Sequence, residues 1–176
     1  RRLRRRATTG GERRGPTRGA DRDRADGPTR AGTLGHGAAR PNDAQAHHWY
    51  GYDLMGIGRY DEAIERILRA RELDPFSAVI NRNLGQALFR AGRYDEAIKT
   101  LRDTLDFAPN FSFIRFYIGE AYLEMGRFDD ALREFEAEAK IQKGQVPRVD
   151  VWIGIAHFRL GRPDKTREIL EALLER

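Results

Sequence analysis

The chain has 176 residues, 40% of them hydrophobic, which is enough for one domain with a core. Its formal net charge of +5 is unevenly placed: residues 1–43 hold 12 Arg against 5 acids, a net of +7, which leaves 20 Lys and Arg against 22 acids in residues 44–176, a net of −2. The absence of cysteine excludes disulfides and thiolate metal sites, and no apolar run approaches the roughly 20 residues that span a bilayer.

Residues 1–43 are rich in Arg, Gly, Asp, Ala, Thr and Pro, and their only bulky aliphatics are Leu3 and Leu34. Such a segment cannot bury enough apolar surface to offset its ordering entropy, so a disordered tail is expected. The arginine runs Arg1-Arg2, Arg4-Arg5-Arg6 and Arg13-Arg14 could hold phosphates by charge. No aromatic is interleaved to stack on bases, which argues against sequence-specific nucleic-acid binding. The same composition is also what GC-rich coding DNA yields when read out of frame. No apolar segment follows the opening arginines, so no signal-peptide pattern is present in this sequence, and a cytoplasmic protein is expected. The first residue is Arg and the only methionines are Met55 and Met125, so the chain reads as a fragment, a processed product or a trimmed form.

From Ala44 the pattern changes. A glycine, a second glycine seven residues on, and then Arg-aromatic-Asp-acid-Ala stand out in Gly85 to Ala97 and recur along the chain. The copies begin at Gly51, Gly85, Gly119 and Gly154, with spacings of 34, 34 and 35 residues, a period that marks a helical repeat array. The units are 44–77, 78–111, 112–145 and 147–176, with Val146 as an extra residue. Each reads as two helices: 44–57 and 61–74, 78–91 and 95–108, 112–125 and 129–142, 148–160 and 163–176. Gly58, Gly92, Gly126 and Gly161 fall where a first helix ends and the chain needs positive φ. Acids then open the second helix at Asp61-Glu62, Asp95-Glu96, Asp129-Asp130 and Asp164, where carboxylates favour the positive end of the helix dipole. Gly51, Gly85, Gly119 and Gly154 lie mid-helix at a cost of about 1 kcal/mol each against alanine. Close helix approach must offset that, and Ala63, Ala97, Ala131 and the larger Thr166 are the expected facing residues.

These residues resemble the tetratricopeptide repeat family over 44–176. Leu84-Gly85, Leu88, Gly92, Tyr94, Ala97, Leu101 and Pro109 of the second unit all fall on signature positions. The third unit has Glu138 where alanine is usual, and the fourth replaces the aromatic and alanine with Pro163 and Thr166. The resemblance implies an all-α, right-handed superhelical solenoid of four helix-turn-helix repeats and a protein-interaction scaffold. Ala46-His47-His48-Trp49-Tyr50 and Asn81-Arg82-Asn83-Leu84-Gly85 also look like the repeat arrays of bacterial multidomain regulators. By that resemblance the chain would be a detached regulatory segment of a transcription regulator or signalling enzyme.

No catalytic set stands out. His47 and His48 are adjacent and point about 100° apart on a helix, so they do not form an i, i+4 ligand pair. The paired acids recur with the repeat as helix-start residues, and no phosphate loop, serine nucleophile or metal spacing appears. A protein that is not an enzyme and binds no cofactor or metal is expected. What remains is a surface. The resemblance places the first helix of each unit along a concave groove, here through His48, Trp49 and Tyr52, then Arg82, Asn83, Gln86 and Phe89. The third unit adds Phe113, Phe116, Tyr117 and Glu120, and the fourth adds Arg148, Trp152 and Phe158. Eight aromatics on one face make a large apolar patch of the kind that marks interaction sites, so a protein or peptide partner is expected there. Replacing Phe116 and Tyr117 by alanine is expected to leave helicity intact and abolish capture. The family's carboxylate clamp is not matched, because of its positions only Asn83 fits. At the far end Ile169, Leu170, Leu173 and Leu174 lack a following unit to cover them, which implies further repeats or self-association through the last helix.

Overall fold

The computed structural model describes residues 42–143 and 145–175. The expected disorder or anion binding of residues 1–41, and the turn at Gly144, lie outside the described residues. Eight helices follow one another: α1 (Ala44–Gly56), α2 (Tyr60–Leu73), α3 (Ala78–Arg90), α4 (Tyr94–Phe107), α5 (Ile114–Glu124), α6 (Phe128–Ile141), α7 (Pro147–Arg159) and α8 (Pro163–Leu174). They form four antiparallel hairpins stacked as an all-α solenoid. Each helix packs on its neighbours in sequence, and α3 also touches α1 and α5. The first boundary moves by one residue. Asp43, placed in the tail by composition, is the N-cap of α1, where its Oδ1 accepts from the backbone N–H of Gln45 and Ala46 at 3.0 and 3.1 Å.

The turn inside each hairpin has one construction. Gly58, Gly92, Gly126 and Gly161 all take positive φ, between 71° and 80°. That lets the next N–H reach back to a first-helix carbonyl: Arg59 to Leu54, Arg93 to Leu88, Arg127 to Tyr122 and Arg162 to His157, at 2.8–3.0 Å. In the first three hairpins the arginine then folds forward onto the acid three residues on, as in Arg93–Glu96 at 2.6 Å and Arg127–Asp130 at 2.7 Å, while Arg162 reaches back to Asp129 instead. The acids of the motif therefore clamp the turn as well as the helix start.

Two buried clusters make the core. One joins the first two hairpins around Leu54, Ile67, Leu84 and Leu88, and the other spans α4 to α7 around Leu101, Phe116, Ile118 and Phe135. Phe89 packs against both, so the array has no break between them. The mid-helix glycines differ from expectation in what faces them. Ala63, Ala97 and Ala131 are fully buried, yet the side chain over each glycine is the larger one a turn further along. A Cβ on Gly51 would stand 2.5 Å from Ile67 Cγ1, one on Gly85 2.4 Å from Leu101 Cγ, and one on Gly119 2.6 Å from Phe135 Cε1. Each glycine is thus the floor of a socket for a branched or aromatic knob. Gly154 is the exception, since its nearest neighbour in the same test is Ile169 Cγ2 at 3.8 Å. There Thr166 donates its hydroxyl to the Gly154 carbonyl at 3.1 Å, so a polar contact replaces the packed knob.

Glu138 also has a structural reason for standing where alanine is usual. Phe113, the residue before α5, is left-handed at φ 67°. Its N–H donates to the fully buried Glu138 Oε1 at 2.7 Å, and Gln142 Nε2 donates to the same oxygen at 2.7 Å. The carboxylate caps α5 from the neighbouring helix. Consequently α5 begins at Ile114 and not at residue 112.

Candidate interaction surface

The face carried by the first helices α1, α3, α5 and α7 is graded from buried to exposed. On α1, Trp49 and Tyr52 are each 44% exposed and meet edge to face with ring centroids 6.1 Å apart. On α7, Phe158 is 64% exposed. Phe116 is different: it is fully buried, with its ring against Tyr117, Phe135 and Trp152 at 5.6–5.9 Å. Phe116 therefore belongs to the core and not to an open groove, and its replacement would damage the fold, contrary to expectation. Tyr117 is also buried apart from a small part of its surface, while Trp152, Phe113 and Phe89 are half-buried. The physical reason is local. α5 is wedged among α3, α4 and α6, so its side chains on both faces are covered.

Polar groups form the floor between these aromatics. His48 and Asn83 are both buried, with Asn83 Nδ2 2.8 Å from His48 Nε2. Arg82 donates to Asn83 Oδ1 at 3.2 and 3.3 Å, which leaves the amide N–H for the imidazole. His48 Nε2 is then the acceptor, and the ring is neutral. Burial lowers the His48 pKa, and the nearby Arg82 guanidinium lowers it further. An open cleft beside His48 is lined by Ala44, Gln45, Asp74, Ser77 and Val79. Gln86 is half-buried on the same helix as Arg82.

The centre of the face is Tyr117 and Glu120. Burial raises the Tyr117 pKa; Arg82 and Arg148 act against that rise, while Glu120 and Tyr52 add to it. Glu120 is only 5% exposed, and its Oε2 is buried with no hydrogen-bond partner among the described residues. Burial raises its pKa, Arg148 and Arg90 oppose the rise, and Glu124 reinforces it. An unsatisfied buried carboxyl oxygen costs of order 1–3 kcal/mol, and more if charged. Sequence reasoning assigned Glu120 to the groove but had no sign of this burial.

The arginines divide by face. Those on the second helices and the turns before them are largely ion-paired, such as Arg59–Glu62, Arg69–Glu72, Arg102–Glu134 and Arg162–Asp129. Arg82, Arg90 and Arg148 have no carboxylate within ion-pair distance among the described residues. They lie over the rings of Phe111, Phe89 and Phe116, with the guanidinium carbon 4.6–5.9 Å from each centroid. Arg90 also falls on a groove position of the second unit. It stands in the last turn of α3, one residue after Phe89.

Tetratricopeptide repeat family models match residues 50–110 and 88–150. Two crystal structures of MamA are similar to this chain, each at 27% identity. Their TM-scores are 0.67 and 0.68, and the alignments cover 77% of this chain and 73% and 78% of theirs. MamA 41-end from Desulfovibrio magneticus RS-1 shares the fold at 17% identity and a TM-score of 0.68, over 76% of this chain and 75% of that one. No curated protein matches the sequence. No helix among the described residues is long and apolar enough to cross a membrane.

Proposed function

This chain belongs to the tetratricopeptide repeat family, and from that premise we propose that it is an interaction scaffold holding a peptide or helix along α1, α3, α5 and α7. The ligand comes from a partner protein or from another part of its own parent protein. The observation that carries this reading is the pair Trp49 and Tyr52, each 44% exposed and in mutual edge-to-face contact on that face. Large half-exposed aromatics cost little side-chain entropy to fix, and they supply most of the binding energy where they enter a partner's surface.

Selection of a displayed random 12-residue peptide library on the full chain tests the proposal. Trp49→Ala/Tyr52→Ala should keep the helical circular-dichroism signal, because both rings are half outside the core. The same double variant should lose the enriched peptides. Enrichment of identical peptides by the variant would refute the groove.

A further inference from the structure

Most arginines of the second helices and the turns before them meet acids. On the face carried by the first helices, Arg90 of α3 and Arg148 of α7 both act electrostatically on the Glu120 carboxyl, yet neither comes within ion-pair distance of it among the described residues, and each lies on an aromatic ring instead. Both guanidiniums are exposed. Arg148 lies over Phe116, one helical turn before Glu120 on α5, and one Glu120 oxygen is buried with no hydrogen-bond partner among the described residues. Two free cations over a buried carboxyl form a seat for an anion that can also hydrogen-bond.

We propose that the occupant of this face is an acidic peptide, one of whose side-chain carboxylates seats between Arg90 and Arg148 and shares a hydrogen bond with the Glu120 carboxyl. The proposal rests on the groove reading above and names the chemistry of its ligand. A carboxylate accepts hydrogen bonds and cannot donate them, so the pair forms only when Glu120 carries the proton. The proton stays on Glu120 and is donated to the arriving carboxylate, with no bond made or broken beyond it. Arg82 lies further along the face beside Tyr117 and extends the positive strip. The charged groups facing Glu120 are Arg90 from α3, Arg148 from α7 and Glu124 on its own helix. α4 and α6 meet α5 elsewhere, with Arg102 on the Tyr122 hydroxyl and Glu134 on Arg115. Burial already favours the protonated form.

The test uses the full chain, peptides selected on it, and a counter-selection against Trp49→Ala/Tyr52→Ala to remove ligands of the basic residues 1–43. The enriched peptides should be acidic. By fluorescence anisotropy Arg90→Ala/Arg148→Ala should weaken them by about tenfold or more, since each lost charge-assisted hydrogen bond exceeds a factor of ten. Wild-type affinity should fall as pH rises through the raised Glu120 value, with a limiting slope of about one decade per unit for one linked proton. Glu120→Gln, which always presents a neutral donor, should bind at every pH with that slope gone. Enrichment of neutral or basic peptides would overturn the acidic assignment while leaving the groove standing, and no enrichment at all would overturn both. Unchanged affinity in Arg90→Ala/Arg148→Ala, or a pH slope that survives Glu120→Gln, would remove the seat. A single-stranded RNA oligonucleotide that binds and loses affinity in the arginine variant, where the peptides do not, would replace the peptide as ligand.

Discussion

Gly85 and Gly154 hold the same place in their repeats and should respond oppositely to alanine. A Cβ on Gly85 would stand 2.4 Å from Leu101 Cγ, deep in the core, so Gly85→Ala should destabilise by about 1–3 kcal/mol through overpacking. The same atom on Gly154 finds Ile169 at an ordinary 3.8 Å. There only the helix propensity changes, and Gly154→Ala should stabilise by about 1 kcal/mol or less. Urea midpoints at unchanged slope would report both, and a loss of stability in Gly154→Ala would contradict the packing described. Glu120 gives a second test at this scale. Burial raises its folded-state pKa above the ordinary 4.5, so the folded state holds the proton more tightly than the unfolded one. The resulting stabilisation is fully present below about pH 4.5 and is lost as pH rises through the folded value. Glu120→Gln should therefore be more stable than wild type at pH 7, by a margin that shrinks at pH 4. A constant margin would show that the carboxyl's protonation has no part in it. His48 runs the other way, because its folded value lies below 6.5 and its contribution is lost as pH falls.

Among the helices, α5 and α8 are the extremes. Nine of the 11 residues of α5 are buried, and none of α8 is. α8 leans on α7 through half-buried Ile169 and Leu173 and leaves Leu170 and Leu174 exposed. Local opening free energy follows buried contact, so amide exchange should be slowest in α5 and fastest in α8. Mass spectrometry of exchanged peptides would resolve the two, and equal protection would contradict the ranking. Protection of α8 that grows with protein concentration would show end-to-end association covering Leu170 and Leu174. The weak fourth hairpin matches its weakened motif, in which Pro163 and Thr166 replace the aromatic and the alanine. The rigid α5 depends instead on a departure from the motif within its own unit, Glu138 on α6, which holds the Phe113 N–H.

At the scale of the whole molecule, the row of first helices is continuous from Trp49 to Phe158, but only part of it is surface. The repeat was legible in the sequence because its causes are local. Positive φ at Gly92, the returning Arg93 N–H and the Arg93–Glu96 clamp all act within a dozen residues, so their spacing survives as a pattern. The 34-residue period then carries the hairpins into a solenoid without further information. Which of the eight aromatics reaches the surface was not legible, because burial on this row depends on helices distant in sequence. Tyr117 and Trp49 occupy equivalent positions in their repeat helices, yet Tyr117 is buried beside Phe116 while Trp49 stays half exposed at the open end. The same holds for Glu120, on which Arg90 of α3 and Arg148 of α7 act from other hairpins, whereas the knobs Ile67, Leu101 and Phe135 and the Glu138 cap of Phe113 close within their own hairpins. Sequence alone determined the helices, their turns and their order, through interactions that close within one hairpin. The packing of one hairpin on the next decided what lies inside and which charges stay unpaired, because desolvation is set by all the neighbours at once.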